Sequence, residues 1–133
     1  MLASKTQLTF LIEGWDEKTY DEYEGGRKLT RAAVQKKFTE GVEGTGSLEY
    51  LMIYTDEDSA SFVGNERIEG SLGNLSGSFV LQHVGTFAEG VSKGSLNIVP
   101  GSGTGELEGL RGEGAFQFGH AQEFTFTLEY SFD

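Results

Sequence analysis

Phe124-Thr125-Phe126-Thr127-Leu128-Glu129-Tyr130-Ser131-Phe132 alternates without a break between aromatic or aliphatic residues and polar ones. Side chains of an extended chain point to opposite faces in turn, so this segment predicts a strand with one buried, largely aromatic face. The same period recurs upstream in a less pure form. Leu8, Phe10 and Ile12 share one face of the first segment. Ala32, Val34 and Phe38 share one face of 29–39, with Lys36 interrupting it. Segment 47–55 is apolar on both faces, with Leu48, Tyr50, Met52 and Tyr54 on one and Leu51 and Ile53 on the other. Further strands fit at about 59–71, 76–86, 90–99 and 104–112, which makes eight. No segment reads convincingly as a helix. The helix formers in 29–37 are the main competitor to a strand, and 16–26 fits either a short turn or a long exposed hairpin.

Glycines and polar turn residues cut the chain every eight to twelve residues, the spacing of an all-β meander. An eight-stranded antiparallel sheet removes its unpaired edges by closing into a barrel. The 20 glycines suit such a barrel, where walls bend sharply or the interior would overfill. The expected fold is therefore a single domain over residues 1–133, a closed eight-stranded antiparallel meander barrel. The doubly apolar 47–55 segment implies a covered outer wall, with subunit contact in a homo-oligomer as the simplest cover.

Composition narrows the chemistry. Cysteine is absent, which removes disulfides, thiol nucleophiles and cysteine-ligated metals. Ten basic against 21 acidic side chains argue against a nucleic-acid partner. The charge is uneven, with seven basic and six acidic groups in residues 1–37 but three and fifteen in 38–133. No apolar run is long enough for a membrane span, and Met1-Leu2-Ala3-Ser4-Lys5 leads directly into the first alternating segment. A cytoplasmic location is the resulting expectation.

Two ionisable residues interrupt apolar faces. His83 continues the row of Phe79 and Leu81, and Glu66 lies between Phe62, Gly64 and Ile68. A carboxylate facing a barrel interior is a candidate general acid or base, and a histidine there needs a partner. Gln82, Glu66, Ser102 or Thr104 could supply it. Both residues also have a purely structural reading, as buried polar groups held by neighbours. A metal site built from His83, His120 and Glu66 is not favoured by spacing, so no metal and no cofactor is expected. Pro100-Gly-Ser-Gly-Thr-Gly-Glu-Leu107 lacks the Gly-Lys-Ser/Thr of a phosphate loop and the third glycine of a dinucleotide fingerprint. It reads as a turn entering a strand. Glu106 lies on one face with Ser102 and Thr104, and faces either solvent or a polar interior. Trp15, Tyr20 and Tyr23 could form an aromatic lip over a barrel mouth or anchor a loop.

Several of these segments together resemble the bacterial domain of unknown function 3224 family. They are Gly77-Ser-Phe-Val-Leu-Gln-His83, Val99-Pro-Gly-Ser-Gly-Thr-Gly-Glu-Leu107, Gly109-Leu-Arg-Gly112 and Leu128-Glu-Tyr130, with Trp15-Asp16 and Val63-Gly-Asn-Glu66. The resemblance implies a fold similar to allene oxide cyclase and implies no activity. Function is therefore expected from the interior. The first expectation is a small apolar or amphipathic ligand, oriented by Glu66, His83, Gln82, Ser102, Thr104 and Glu106 against walls that include Tyr50 and Tyr130. The second is a cofactor-independent isomerase or cyclase using Glu66 and His83. The third is a filled structural barrel acting through oligomeric contacts.

Overall fold

The computed structural model describes residues 3–133; Met1 and Leu2, part of the N-terminal stretch discussed above, lie outside it. Nine antiparallel strands follow one another: β1 (Ser4–Tyr23), β2 (Arg27–Glu40), β3 (Val42–Asp56), β4 (Ser59–Leu72), β5 (Leu75–Ala88), β6 (Val91–Ile98), β7 (Thr104–Gly105), β8 (Leu110–Phe118) and β9 (Phe124–Phe132). A single 3-10 turn, Glu24–Gly26, joins β1 to β2, and no α-helix occurs among the described residues. No helix among them is long and apolar enough to cross a membrane.

Eight of the strands form a ring. Each pairs with the next along the chain, β7 apart, and β9 returns to β1 with Leu8 opposite Phe126. Alternation decides which side chains enter. Leu8, Phe10, Val34, Phe38, Phe62, Ile68, Phe79, Leu81, Leu96, Phe126 and Leu128 are buried in one continuous core, while their sequence neighbours mostly face out. The helix formers of 29–37 are strand residues, because inward Ala32, Val34 and Lys36 alternate with outward Arg31, Ala33 and Gln35. Register within the ring overrides local propensity.

The strand expected at 104–112 is not formed. Only Thr104–Gly105 extends, the chain then turns through Leu107 and Leu110, and the eighth ring strand is β8. Turn hydrogen bonds run from Leu107 N to Thr104 O (3.0 Å) and from Leu110 N to Leu107 O (3.1 Å). On the outside, segment 47–55 is as apolar as expected. Leu51, Val63 and Val84 lie opposite one another across β3, β4 and β5 and are 44%, 49% and 56% exposed.

The ring is uneven, and this places its opening. β9 pairs with β1 only as far as Phe10 opposite Phe124. From Leu11 onward β1 has β2 alone for a neighbour, so the two strands project as the long hairpin that the 16–26 reading allowed. The wall is thus missing between the outer half of β1 and the β8–β9 connection.

Candidate functional site

A cavity of about 450 Å3 occupies the interior below that opening. Phe10, Phe62, Phe116, Phe118, Phe124 and Phe126 supply most of its wall, and Trp15, Tyr54 and the exposed His120 stand at its mouth. Its polar groups come chiefly from one side: Lys36 on β2, Tyr50 on β3 and His83 on β5.

These three converge on a fourth residue that is not on the wall. Glu66 of β4 is fully buried behind them, with Lys36 and His83 each 5% exposed. Its Oε1 accepts a hydrogen bond from Lys36 Nζ at 3.1 Å and one from His83 Nε2 at 2.9 Å. A carboxylate can only accept, so Nε2 carries the imidazole proton and Nδ1 is left as an acceptor. Tyr50 Oη lies 3.4 Å from Nδ1 and donates to it, which completes a chain from phenol through imidazole to carboxylate. Lys36 Nζ also lies 4.0 Å from the centre of the Phe10 ring, a cation–π contact.

Two glycines make room for this arrangement. Tyr50, Gly64 and His83 lie in one cross-strand row. A Cβ on Gly64 would meet Tyr50 Cδ1 at 2.6 Å, so only glycine lets the phenol lean across β4 to reach the imidazole. Gly46 lies opposite Lys36, and a Cβ there would stand 2.3 Å from Glu66 Oε2. That oxygen is buried and has no hydrogen-bond partner among the described residues.

Electrostatics follow from burial and pairing. Burial alone would raise the Glu66 carboxyl, but the Lys36 ammonium and the His83 hydrogen bond outweigh it and hold the group below its ordinary value. Burial lowers Lys36 against the opposing pull of Glu66, and it lowers His83 as well. Burial, with the Glu66 charge, pushes the Tyr50 phenol up, so it stays protonated. The cluster therefore holds one positive and one negative charge, a neutral imidazole and a neutral phenol.

A pH dependence of one sign follows. His83 and Glu66 titrate lower in the native protein than in the unfolded chain, so on acidification the unfolded chain takes up protons first. Stability is expected to fall as pH drops below 6.5, the ordinary histidine value, and to fall further below 4.5, the ordinary value for Glu66. Urea midpoints measured across this range check it, and His83→Phe should remove the upper part of the loss.

A second carboxylate organises the mouth. Glu17 accepts hydrogen bonds from Trp15 Nε1 (3.0 Å), Thr30 Oγ1 (2.7 Å) and Tyr54 Oη (2.6 Å). It thereby ties the projecting hairpin to the rim, and Trp15 packs near Tyr50 with ring centres 6.1 Å apart. Tyr20 and Tyr23 lie away from this mouth, so of the three aromatic residues considered for a lip only Trp15 contributes.

The remaining candidates lie elsewhere. Gln82 points outward from β5. Tyr130 is half-buried on the far side from the cavity, beside Phe132. Ser102, Thr104 and Glu106 run along the half of β5 that β6 does not reach. There Ser102 Oγ accepts from Val80 N (3.0 Å), Thr104 Oγ1 from Ser78 N (3.1 Å) and Glu106 Oε1 from Ser76 N (3.1 Å). Beside the two-residue β7, which pairs with β5 at Gly77 and Ser78, side-chain oxygens at every second residue thus stand in for strand carbonyls. A Cβ on Gly103 would lie 1.9 Å from Leu107 O, which explains the glycine between them. Among the described residues, no group of three or more His, Cys, Asp or Glu is placed to hold a metal ion.

In the sequence Lys36 interrupts an apolar face and has no evident partner. Its signal was its position on the face of Val34 and Phe38; what pairs it with Glu66 is the register of β2, β3 and β4.

Comparison with known proteins places this geometry in a family without an assigned activity. The model of a family described as protein of unknown function (DUF3224) matches residues 6–130. A crystal structure of a protein of unknown function from that family, from Shewanella oneidensis MR-1, is similar with a TM-score of 0.79 and 30% identity, covering 99% of each chain. No curated protein matches.

Proposed function

The chain belongs to the DUF3224 family, and from that premise we propose that it binds a small, uncharged, largely apolar molecule inside its ring of strands. The ring is read here as a closed barrel. One observation carries the proposal: an aromatic cavity of about 450 Å3 with hydrogen-bonding groups gathered on one wall. This volume falls within the roughly 300–1,000 Å3 of small-molecule sites, and a packed interior with a few oriented polar groups is their usual form. A filled scaffold would have no such space.

Charge selects the class of ligand. Lys36 and Glu66 neutralise each other and His83 is neutral, so an anionic or cationic headgroup would meet no net opposite charge. A carbonyl or hydroxyl would instead meet a lysine N–H and the Tyr50 oxygen. The single tryptophan, Trp15, stands at the mouth and reports on entry.

An uncharged naphthalene derivative is expected to quench Trp15 fluorescence saturably. Ser92→Phe, which places a ring on the cavity wall, should weaken that binding about tenfold, near 1.4 kcal/mol, with circular dichroism unchanged. Binding equal to that of the unaltered protein would remove the cavity as the site. Mass spectrometry of natively purified protein would identify the natural occupant.

A second reading, a cofactor-independent isomerase or cyclase, draws on the Tyr50–His83–Glu66 chain. A phenol backed by an imidazole and a carboxylate can pass a proton to and from a bound molecule. In this reading Glu66 acts through His83, since the carboxylate does not reach the cavity.

A further inference from the structure

Among the described residues, Lys36 holds the only amine on the cavity wall. The other lysines described, Lys5, Lys18, Lys28, Lys37 and Lys93, lie on the outside or at its edge. Its Nζ carries three protons. One is directed at Glu66 Oε1, the Phe10 ring covers another side, and the cavity lies before it. A buried ammonium surrounded by phenylalanines adds nothing to the apolar binding of a ligand, and its carboxylate partner is hidden from that ligand. Together they form an amine with a built-in counter-charge, facing a space shaped for an apolar molecule.

We propose that Lys36 is the attachment point for an apolar aldehyde, held in the cavity as a protonated imine with Glu66 as its counterion. The inference rests on the cavity-binding reading above and names its ligand class more closely. Glu66 Oε1, at 3.1 Å, takes a proton from Nζ. The freed nitrogen lone pair forms a bond to the carbonyl carbon while the C=O π pair moves to oxygen. The oxygen takes one proton from nitrogen, Glu66 returns its own proton to nitrogen, and nitrogen passes a second proton to the oxygen, which leaves as water as the C=N bond forms. The nitrogen keeps one proton. Ammonium plus aldehyde thus gives iminium plus water, and the positive charge opposite Glu66 is conserved, so the buried pair is never left unbalanced. Burial favours the reactive free amine, as in other lysines placed in apolar pockets.

The test uses the whole protein with 4-dimethylaminocinnamaldehyde, whose protonated imine absorbs at longer wavelength than its neutral imine. A red-shifted band is expected, and cyanoborohydride should then fix one adduct on the peptide containing Lys36. Lys36→Arg keeps the charge opposite Glu66 but cannot form an imine, and it should lose both the band and the adduct. Glu66→Gln should keep an adduct but lose the red shift. Labelling spread over the surface lysines, or an unaltered band in Lys36→Arg, would overturn the proposal. The corresponding alcohol separates the two claims. Should it quench Trp15 while the aldehyde is not trapped at Lys36, the cavity stands and the imine falls; should neither compound bind, both fall.

Discussion

Glu66→Leu is expected to destabilise the protein by about 3–5 kcal/mol, because it strands a buried charge. Among the described residues Lys36 Nζ has Glu66 as its only charged partner, and it is 5% exposed, so the ammonium could escape only by losing its proton. His83 Nε2 would lose its acceptor in the same step. The informative comparison is the double replacement Lys36→Met with Glu66→Leu. Exchanging a whole buried pair for apolar side chains is often neutral or stabilising, by about 1–4 kcal/mol. The double variant should therefore recover most of the stability that the single one loses, as read from urea unfolding, while losing any chemistry at Lys36. A single variant as stable as the unaltered protein would mean that the pair is solvated in the native state.

The combined change Ser102→Ala and Thr104→Val should cost about 2–6 kcal/mol. It leaves the N–H groups of Val80 and Ser78 without acceptors beside a buried strand, and each such group costs about 1–3 kcal/mol. Ser78 is itself buried, and its hydroxyl shares a 2.7 Å contact with Thr104 Oγ1. Quenching of Trp15 by a cavity ligand should be unchanged at equal folded fraction. The opposite pattern, stability kept and ligand affinity lost, would return the Pro100–Leu107 run to the binding site.

The parts of the fold legible in the sequence are those where alternation is strong. β9 is read directly, and Glu66 and His83 stand out because each breaks an apolar row of known parity. β8 is harder to see, since its inward positions Gly112 and Gly114 carry no side chains to mark the face shared by Leu110 and Phe116. The Pro100–Leu107 run misleads for a different reason. Its alternating oxygens do have strand spacing, but they serve a neighbouring backbone, and the three-residue step from Leu107 to Leu110 is a turn. The Lys36–Glu66 pair was beyond reach because one-dimensional spacing carries face but not register. Thirty residues separate the two, and only the pairing of β2 with β3 and β3 with β4 aligns them. The roles of Gly46 and Gly64 are legible only afterwards, once the side chains that cross them are known.

The seam between β1 and β9 has a consequence for how the protein is made. Residues 4–10 find their β9 partners only in 124–130, more than a hundred positions downstream. During translation the phenylalanine-lined interior therefore stays open to the surrounding medium until the last strand leaves the ribosome. Long-range pairing of this kind slows folding and exposes sticky intermediates. A nascent chain stalled before Phe124 should be held by chaperones or cleared by proteases, and one released just after Phe132 should escape both.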